Sequence, residues 1–162
     1  MHLAADLQML LLLLTANGGP VLAKKAFGPR FAFPLDGGNL FFDGRPILGA
    51  SKTARGLAVA VLLPSLLAPA IGLDWHVGAI AGAAAMAGDL ISSFIKRRLG
   101  RPSSSRALGL DQIPESLLPT LACAPLLGLA AADMAVVTAV FFVGELVLSR
   151  ILYRIHLRDQ PY

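Results

Sequence analysis

The sequence predicts an all-α integral membrane protein, a bundle of five transmembrane helices, and three observations carry that expectation. Hydrophobic residues make up 56% of the 162-residue chain and charged ones only 15%, with a mean hydropathy of +0.68, well outside the range of a water-soluble domain. Five apolar runs approach the length of about 20 residues that a helix needs to cross the hydrocarbon. Every one of the fourteen Lys and Arg residues falls in alternate connections between those runs or after the last of them. Five spans leave no room for a separate soluble domain, so residues 1–162 read as one transmembrane unit.

The first helix is expected over about 3–23. Its "MHLAADLQMLLLLLTANGG" has no Lys or Arg before the apolar run and no A-x-A site, so it reads as a retained helix and not a cleaved signal peptide. The second, about 52–73, is entered through "SKTARG", with Ser51 placed to cap it. The third, about 75–98, is interrupted by Asp89 and ends on Lys96, Arg97 and Arg98, where cations offset free carbonyls. Gly78 and Gly82 on it allow a close neighbour. Asp111 or Gln112, with Pro114 in the first turn, starts the fourth, about 113–132. The fifth, about 134–156, carries Glu145 with Ser149 one turn on. Cys123, the single cysteine, lies in an apolar run and reads as a small buried residue.

Orientation follows from the cations. Lys24, Lys25, Arg30, Arg45, Lys52 and Arg55 lie between the first two helices; Lys96, Arg97, Arg98, Arg101 and Arg106 between the third and fourth; Arg150, Arg154 and Arg158 at the end. The positive-inside rule therefore puts loops 24–51 and 99–112 and the C-terminus in the cytoplasm, and the N-terminus outside, for a multi-pass protein of the cell membrane. The lipid bilayer is its first partner. A pI near 9.7 is accounted for by cations facing headgroups and phosphates, so no nucleic acid is invoked.

The long loop "PLDGGNLFFDGRPILGASKTARG" places repeated Gly beside Asp36, Asp43 and basic groups, a composition suited to close backbone approach to a phosphate and its metal. Lys52 and Arg55, three residues apart at a helix start, suit an anionic phosphate; they suit interfacial anchoring as well. On the third helix Asp89, Ser92, Ser93 and Lys96 fall at i, i+3, i+4 and i+7, one polar stripe. A carboxylate in a span costs about 2.5–3.5 kcal/mol on insertion scales, so it needs a partner. That partner is either Lys96 or Arg97, as an ion pair, or a divalent cation. Asp111 either helps start the fourth helix or joins Asp89 on the metal, and Glu145 is open to both kinds of role. No Ser-His-Asp order, zinc spacing or Walker sequence is present, and His2, His76 and His156 lie far apart in this topology.

"PLDGGNLFFDGRPILGASKTARG", "GDLISSFIKRRLG" and "LDQIPES" together resemble the CDP-archaeol synthases, membrane cytidylyltransferases distantly similar to CDP-diacylglycerol synthases. The resemblance spans most of the chain and agrees with five helices. It implies transfer of a cytidylyl group from CTP to a membrane lipid phosphate, with Mg²⁺ and release of pyrophosphate. It also implies site residues: Lys52, Arg55, Lys96 and Arg97 as the catalytic, phosphate-facing cations, and Asp89 and Asp111 as metal ligands. Asn17, Asp36, Gly37, Asp43, Gly44, Thr53, Gly56, Gly88, Ser92, Ser93 and Gln112 would bind substrate. Where the family pattern reads nearer "DQLDF", this chain has Pro114 in place of the second Asp, then Glu115. The rival reading, a transporter of an anionic phosphorylated metabolite, needs charges near the bilayer midplane. The outer halves of the second, third and fourth helices carry no acidic or basic residue.

Overall fold

The computed structural model of the chain describes residues 2–154; His156, Arg158 and the last two positions of the expected fifth helix lie outside them. Those residues form α1 (Leu3–Phe27), α2 (Ala54–Ala70), α3 (Trp75–Arg98), α4 (Gln112–Leu127) and α5 (Ala131–Arg154). Two isolated β-bridges, Pro34 with Thr53 and Leu40 with Pro46, shape the loop before α2. The helices α1, α3 and α5 are long and apolar enough to cross a membrane. At about 1.5 Å per residue, the 17 residues of α2 and 16 of α4 fall short of about 30 Å of hydrocarbon.

Helix ends differ from the sequence expectation for local reasons. In α1 the helix runs on through Lys24 and Lys25, whose charges favour a C-terminal turn, and stops at Gly28, where φ is +55°. In α2 the cap is Thr53 and not Ser51: the Thr53 hydroxyl accepts from Gly56 N at 3.1 Å. Ser51 is instead tied to the α3–α4 loop, its hydroxyl accepting from Ser103 Oγ at 3.1 Å. Lys52 stays outside the helix because its carbonyl accepts from Leu35 N at 2.8 Å. At the start of α4, Asp111 makes no capping bond. Gly128, left-handed at φ +66°, ends α4 before the expected residue 132. The next helix then starts at Ala131, with Asp133 Oδ2 accepting from Ala130 N at 3.0 Å.

Packing centres on α3, which touches α1, α2 and α4. Glycine makes those contacts close. A Cβ on Gly78 would lie 2.1 Å from the Pro64 carbonyl oxygen, and one on Gly82 would lie 2.2 Å from that of Ala60. Pro64 has no N–H to give the Ala60 carbonyl, so α3 backs onto a carbonyl that its own helix leaves open. Nearer the other end of α3, a Cβ on Gly88 would lie 2.3 Å from the Pro114 carbonyl oxygen of α4. The apolar core gathers Met9, Leu12 and Leu13 of α1, Ala68 of α2, Val77 and Ala81 of α3, Cys123 of α4, and Val137 and Phe141 of α5. All of it belongs to the half of the bundle that holds the N-terminus and the short α2–α3 and α4–α5 turns.

Candidate active site

At the opposite end the helices are joined by charge. Lys52, in the extended segment before α2, reaches Asp89 of α3 and donates to both carboxylate oxygens at 2.5 Å. Beside this pair, in the first turn of α4, the Glu115 carboxyl lies within hydrogen-bonding reach of Asp89 and close enough to Lys52 and to Glu145 of α5 to feel their charges. Gly88 permits this, because only a residue without Cβ lets α3 meet the Pro114–Glu115 backbone so closely. Two helical turns further along α3, Lys96 contacts Asp111 Oδ1 at 2.6 Å and donates to the Ser105 carbonyl at 2.9 Å. Asp111 Oδ2 accepts from Ala107 N at 2.7 Å, which folds the α3–α4 loop back onto α4. Two lysines and three carboxylates from the long loop, α3 and α4 thus share one end of the bundle.

The long loop is built by its own carboxylates. Asp36 accepts from Gly38 N on one oxygen and from Leu48 N and Gly49 N on the other, at 2.8–3.0 Å. Burial pushes its carboxyl up, but those N–H bonds, from Gly49, Leu48 and Gly38, outweigh burial and hold it below the usual carboxylate value. Gly37 and Gly44 occupy left-handed turns at φ +58° and +73°. Asp43 accepts from Arg45 N at 3.1 Å and from Arg98 Nη1 at 2.8 Å. The Arg98 guanidinium also sits 4.6 Å over the Phe41 ring and 4.9 Å over Phe94, so it clamps the Leu40–Pro46 hairpin to α3. That is a different task from the one its place at a helix end suggests.

The residues expected to bind substrate divide by what they touch. Ser92 and Ser93 are buried; the Ser92 hydroxyl reaches the Gly88 and Leu110 carbonyls at 2.9 and 2.6 Å, tying the α3–α4 loop to α3. Asp89, Ser92 and Lys96 therefore reach different partners. Arg55 donates from Nη1 to the Gly28 and Arg30 carbonyls at 2.9 and 2.6 Å, away from Lys52, and so fastens the end of α1 to α2. Asn17 donates to the Leu13 carbonyl of its own helix at 3.0 Å. Thr53 and Gly56 form the α2 cap. Gln112 is fully buried; its Oε1 accepts from Gly109 N at 2.8 Å while its Nε2 has no partner among the described residues. Arg97, 4% exposed, likewise leaves Nε without one. Glu115 is the residue that sequence reasoning left out. Its signal was a carboxylate in the first turn of α4, next to the proline where the family pattern carries an acid.

Two buried donors, Gln112 Nε2 and Arg97 Nε, have no hydrogen-bond partner among the described residues, beside carboxylates joined to lysines. Among the described residues no three His, Cys, Asp or Glu side chains close on a single point. Mg²⁺ does not ask for that: it is bound by one or two carboxylates, phosphate oxygens and waters, and the Asp89–Glu115 pair fits it.

Residues 71–162 match the family described as "CarS-like: CDP-archaeol synthase". A CDP-archaeol synthase of Sulfurisphaera tokodaii is 34% identical over 155 residues, spanning 92% of this chain and 90% of that protein. One of Hyperthermus butylicus is 43% identical over 106 residues, spanning 62% of this chain and 60% of its own length. A solved structure, described as an intramembrane enzyme for archaeal membrane lipids biosynthesis, superposes with a TM-score of 0.67 at 30% identity, covering 87% of this chain and 90% of that one.

Proposed function

The chain belongs to the CDP-archaeol synthase family, and from that premise we propose that it transfers the cytidylyl group of CTP to a membrane lipid phosphate, giving a CDP-activated lipid and pyrophosphate. The observation that carries the reading is Lys52 of the long loop closed on Asp89 of α3 beside Glu115 of α4. A phosphate oxygen of the lipid attacks the α-phosphorus of CTP. The new P–O bond forms as the bond to the β-phosphate oxygen breaks, and that electron pair leaves with pyrophosphate. No proton need move, so the protein's work is positioning and neutralisation of charge.

Lys52 and Lys96 leave their carboxylates for phosphate oxygens, and Gln112 Nε2 supplies a further donor. Asp89 and Glu115 would hold Mg²⁺, with Asp111, joined to Lys96 two turns along α3, as the further carboxylate expected to reach it. Bound there, the ion would supply charge neutralisation at the phosphates and the pyrophosphate. Arg55 keeps the loop closed over the nucleotide from its seat on Gly28 and Arg30. All five helices cross the membrane in this reading, with the charged end in the cytoplasm, where CTP is. The lipid phosphate arrives from the headgroup layer beside that end.

The test is transfer of label from α-³²P-CTP into lipid by the purified protein with Mg²⁺ and a panel of lipid phosphates. Labelled lipid from wild type and none from Asp89→Asn is the expected outcome. Wild-type protein that stays folded yet labels no lipid phosphate, while accumulating an anion in vesicles, would return the transporter.

A further inference from the structure

The hairpin that the Leu40–Pro46 bridge closes turns two apolar side chains outward: Phe42 is fully exposed and Leu40 mostly so. The ion pairs at Asp89 and Asp111 make no use of either. Phe42 does not stand alone, because its ring lies 5.1 Å from Phe41 and Phe41 lies 5.3 Å from Phe94 of α3, both edge to face. Exposed Ile91, three residues before Phe94, shares a face with it. The apolar face of α3 thus continues onto the hairpin, and a contiguous patch of this kind marks an interaction surface.

Helix length says what the patch meets. The first residue of α3 is Trp75, which is exposed, and an exposed tryptophan at the end of a span belongs at a membrane interface. From there about 20 residues cover about 30 Å of hydrocarbon, which brings the opposite boundary to the turn that carries Phe94. Phe41 packs on that turn, so the hairpin stands where acyl chains give way to headgroups. Arg98, one turn beyond Phe94, stands among the headgroups. Charge agrees with this placement. The carboxylate of the hairpin, Asp43, accepts from Arg98 Nη1 at 2.8 Å, so it faces the leaflet neutralised. Arg45 leaves the hairpin and Arg98 together with a surplus positive charge, complementary to anionic headgroups.

We propose that the Leu40–Pro46 hairpin dips into the leaflet at the charged end of the bundle, with Leu40 and Phe42 among the upper acyl carbons and Arg45 and Arg98 at the headgroups. The long loop is then held on the bilayer at its middle as well as at its two helices, which fixes the height of the segment that ends in Lys52. The proposal takes α3 as a membrane span and is independent of cytidylyl transfer.

Trp75 is the single tryptophan of the chain, so Phe42→Trp in a Trp75→Phe background gives one emitter. The full chain is placed in nanodiscs of phosphatidylcholine with phosphatidylglycerol, either plain, brominated high on the acyl chain or brominated near its end. Bromine high on the chain should lower the Phe42→Trp emission about twofold or more, and bromine near the chain end far less, because an interfacial group enters only about 5–10 Å. Acrylamide in the water should quench it much less than it quenches free tryptophan. Leu40→Trp, on the same hairpin, repeats the measurement if Phe42→Trp fails to fold. Full quenching by acrylamide with no effect of bromine would put the hairpin in water and overturn the proposal. Quenching by neither would mean that protein covers the ring, the loop itself or a second copy of the chain, and would overturn it as well. Neither readout uses CTP, so failure of the transfer reading would leave this result standing.

Discussion

At the end of the bundle that holds the N-terminus, the helices meet through Met9, Leu12, Leu13, Val77, Ala81, Cys123, Val137 and Phe141. At the other end the long loop, α3 and α4 meet through Lys52 on Asp89, Lys96 on Asp111 and Arg98 on Asp43. The first kind of contact is non-directional and depends on fit. The second is directional and can be exchanged, because a carboxylate that releases a lysine accepts a metal ion and the lysine accepts a phosphate. In the proposed reaction one end would set stability, and the other would be dismantled and rebuilt in each catalytic cycle without loss of the fold. Gly78, Gly82 and Gly88 link the two, since the helix that carries Asp89 is docked on its neighbours at all three.

Asp89→Asn gives the largest contrast. The amide oxygen still accepts from Lys52, so the fold should persist, with a melting temperature within a few degrees of wild type. Labelled lipid formation should fall about a thousandfold or more, roughly 4 kcal/mol in transition-state stabilisation. Comparable loss of melting temperature and rate would mean that the charged end is structural after all. Leu13→Ala is the mirror case. Leu13 is fully buried, and its truncation should cost about 2–5 kcal/mol of stability, read as a lower melting temperature, while the rate per folded molecule changes less than about threefold.

The apolar half was the more legible in the sequence, for a physical reason. Apolar runs announce helices by composition alone, and "GAIAG" announces close packing, so α1 and α3 stand nearly where the runs put them and Gly78 and Gly82 touch α2 as their size suggests. The charged end depends on contacts between residues far apart in the chain. A stripe at i, i+3, i+4 and i+7 aligned Asp89 with Lys96, but Asp89 took Lys52, 37 positions away, which no periodicity encodes. The helix start at Ser51 lost to Thr53 because a β-bridge to Pro34 keeps the preceding residues extended. Arg98 read as one of the cations that offset free carbonyls at the end of the third helix, since nothing local revealed Asp43, Phe41 and Phe94 gathered around it. Glu115 was hidden by its neighbour: Pro114 broke the expected pattern and drew attention from the acid beside it.

Acid should separate the two ends more gently. With its carboxyl held below the usual value, Asp36 contributes to folding of the loop above the unfolded carboxylate value, about 3.9, and that contribution is lost as pH falls through the lower folded value. Protease nicking within residues 28–51 should therefore rise as the pH drops below about 3.9, while cleavage at the α2–α3 turn stays flat. In Asp36→Asn the loop should be nicked readily at neutral pH and lose that acid dependence. Equal exposure of loop and turn in acid would mean that the bundle melts as one unit.

Asp6 is where the comparison is most open to challenge, because it sets a carboxyl in the apolar half. It is 3% exposed, and neither oxygen has a hydrogen-bond partner among the described residues, one turn before Met9 of the core. Nothing in the exchange of lysines, metal and phosphate at the far end calls on it. A buried polar group without a partner costs about 1–3 kcal/mol, and an apolar replacement of similar shape recovers part of that. Asp6→Leu should therefore raise the melting temperature by a few degrees, roughly 1 kcal/mol for a chain of this size, with unchanged transfer of label. Asp6→Asn, which keeps the polar atoms, should gain less. If Asp6→Leu instead lowers the rate while raising the melting temperature, the carboxyl serves catalysis from a distance, and the division of labour between the two ends fails at that residue.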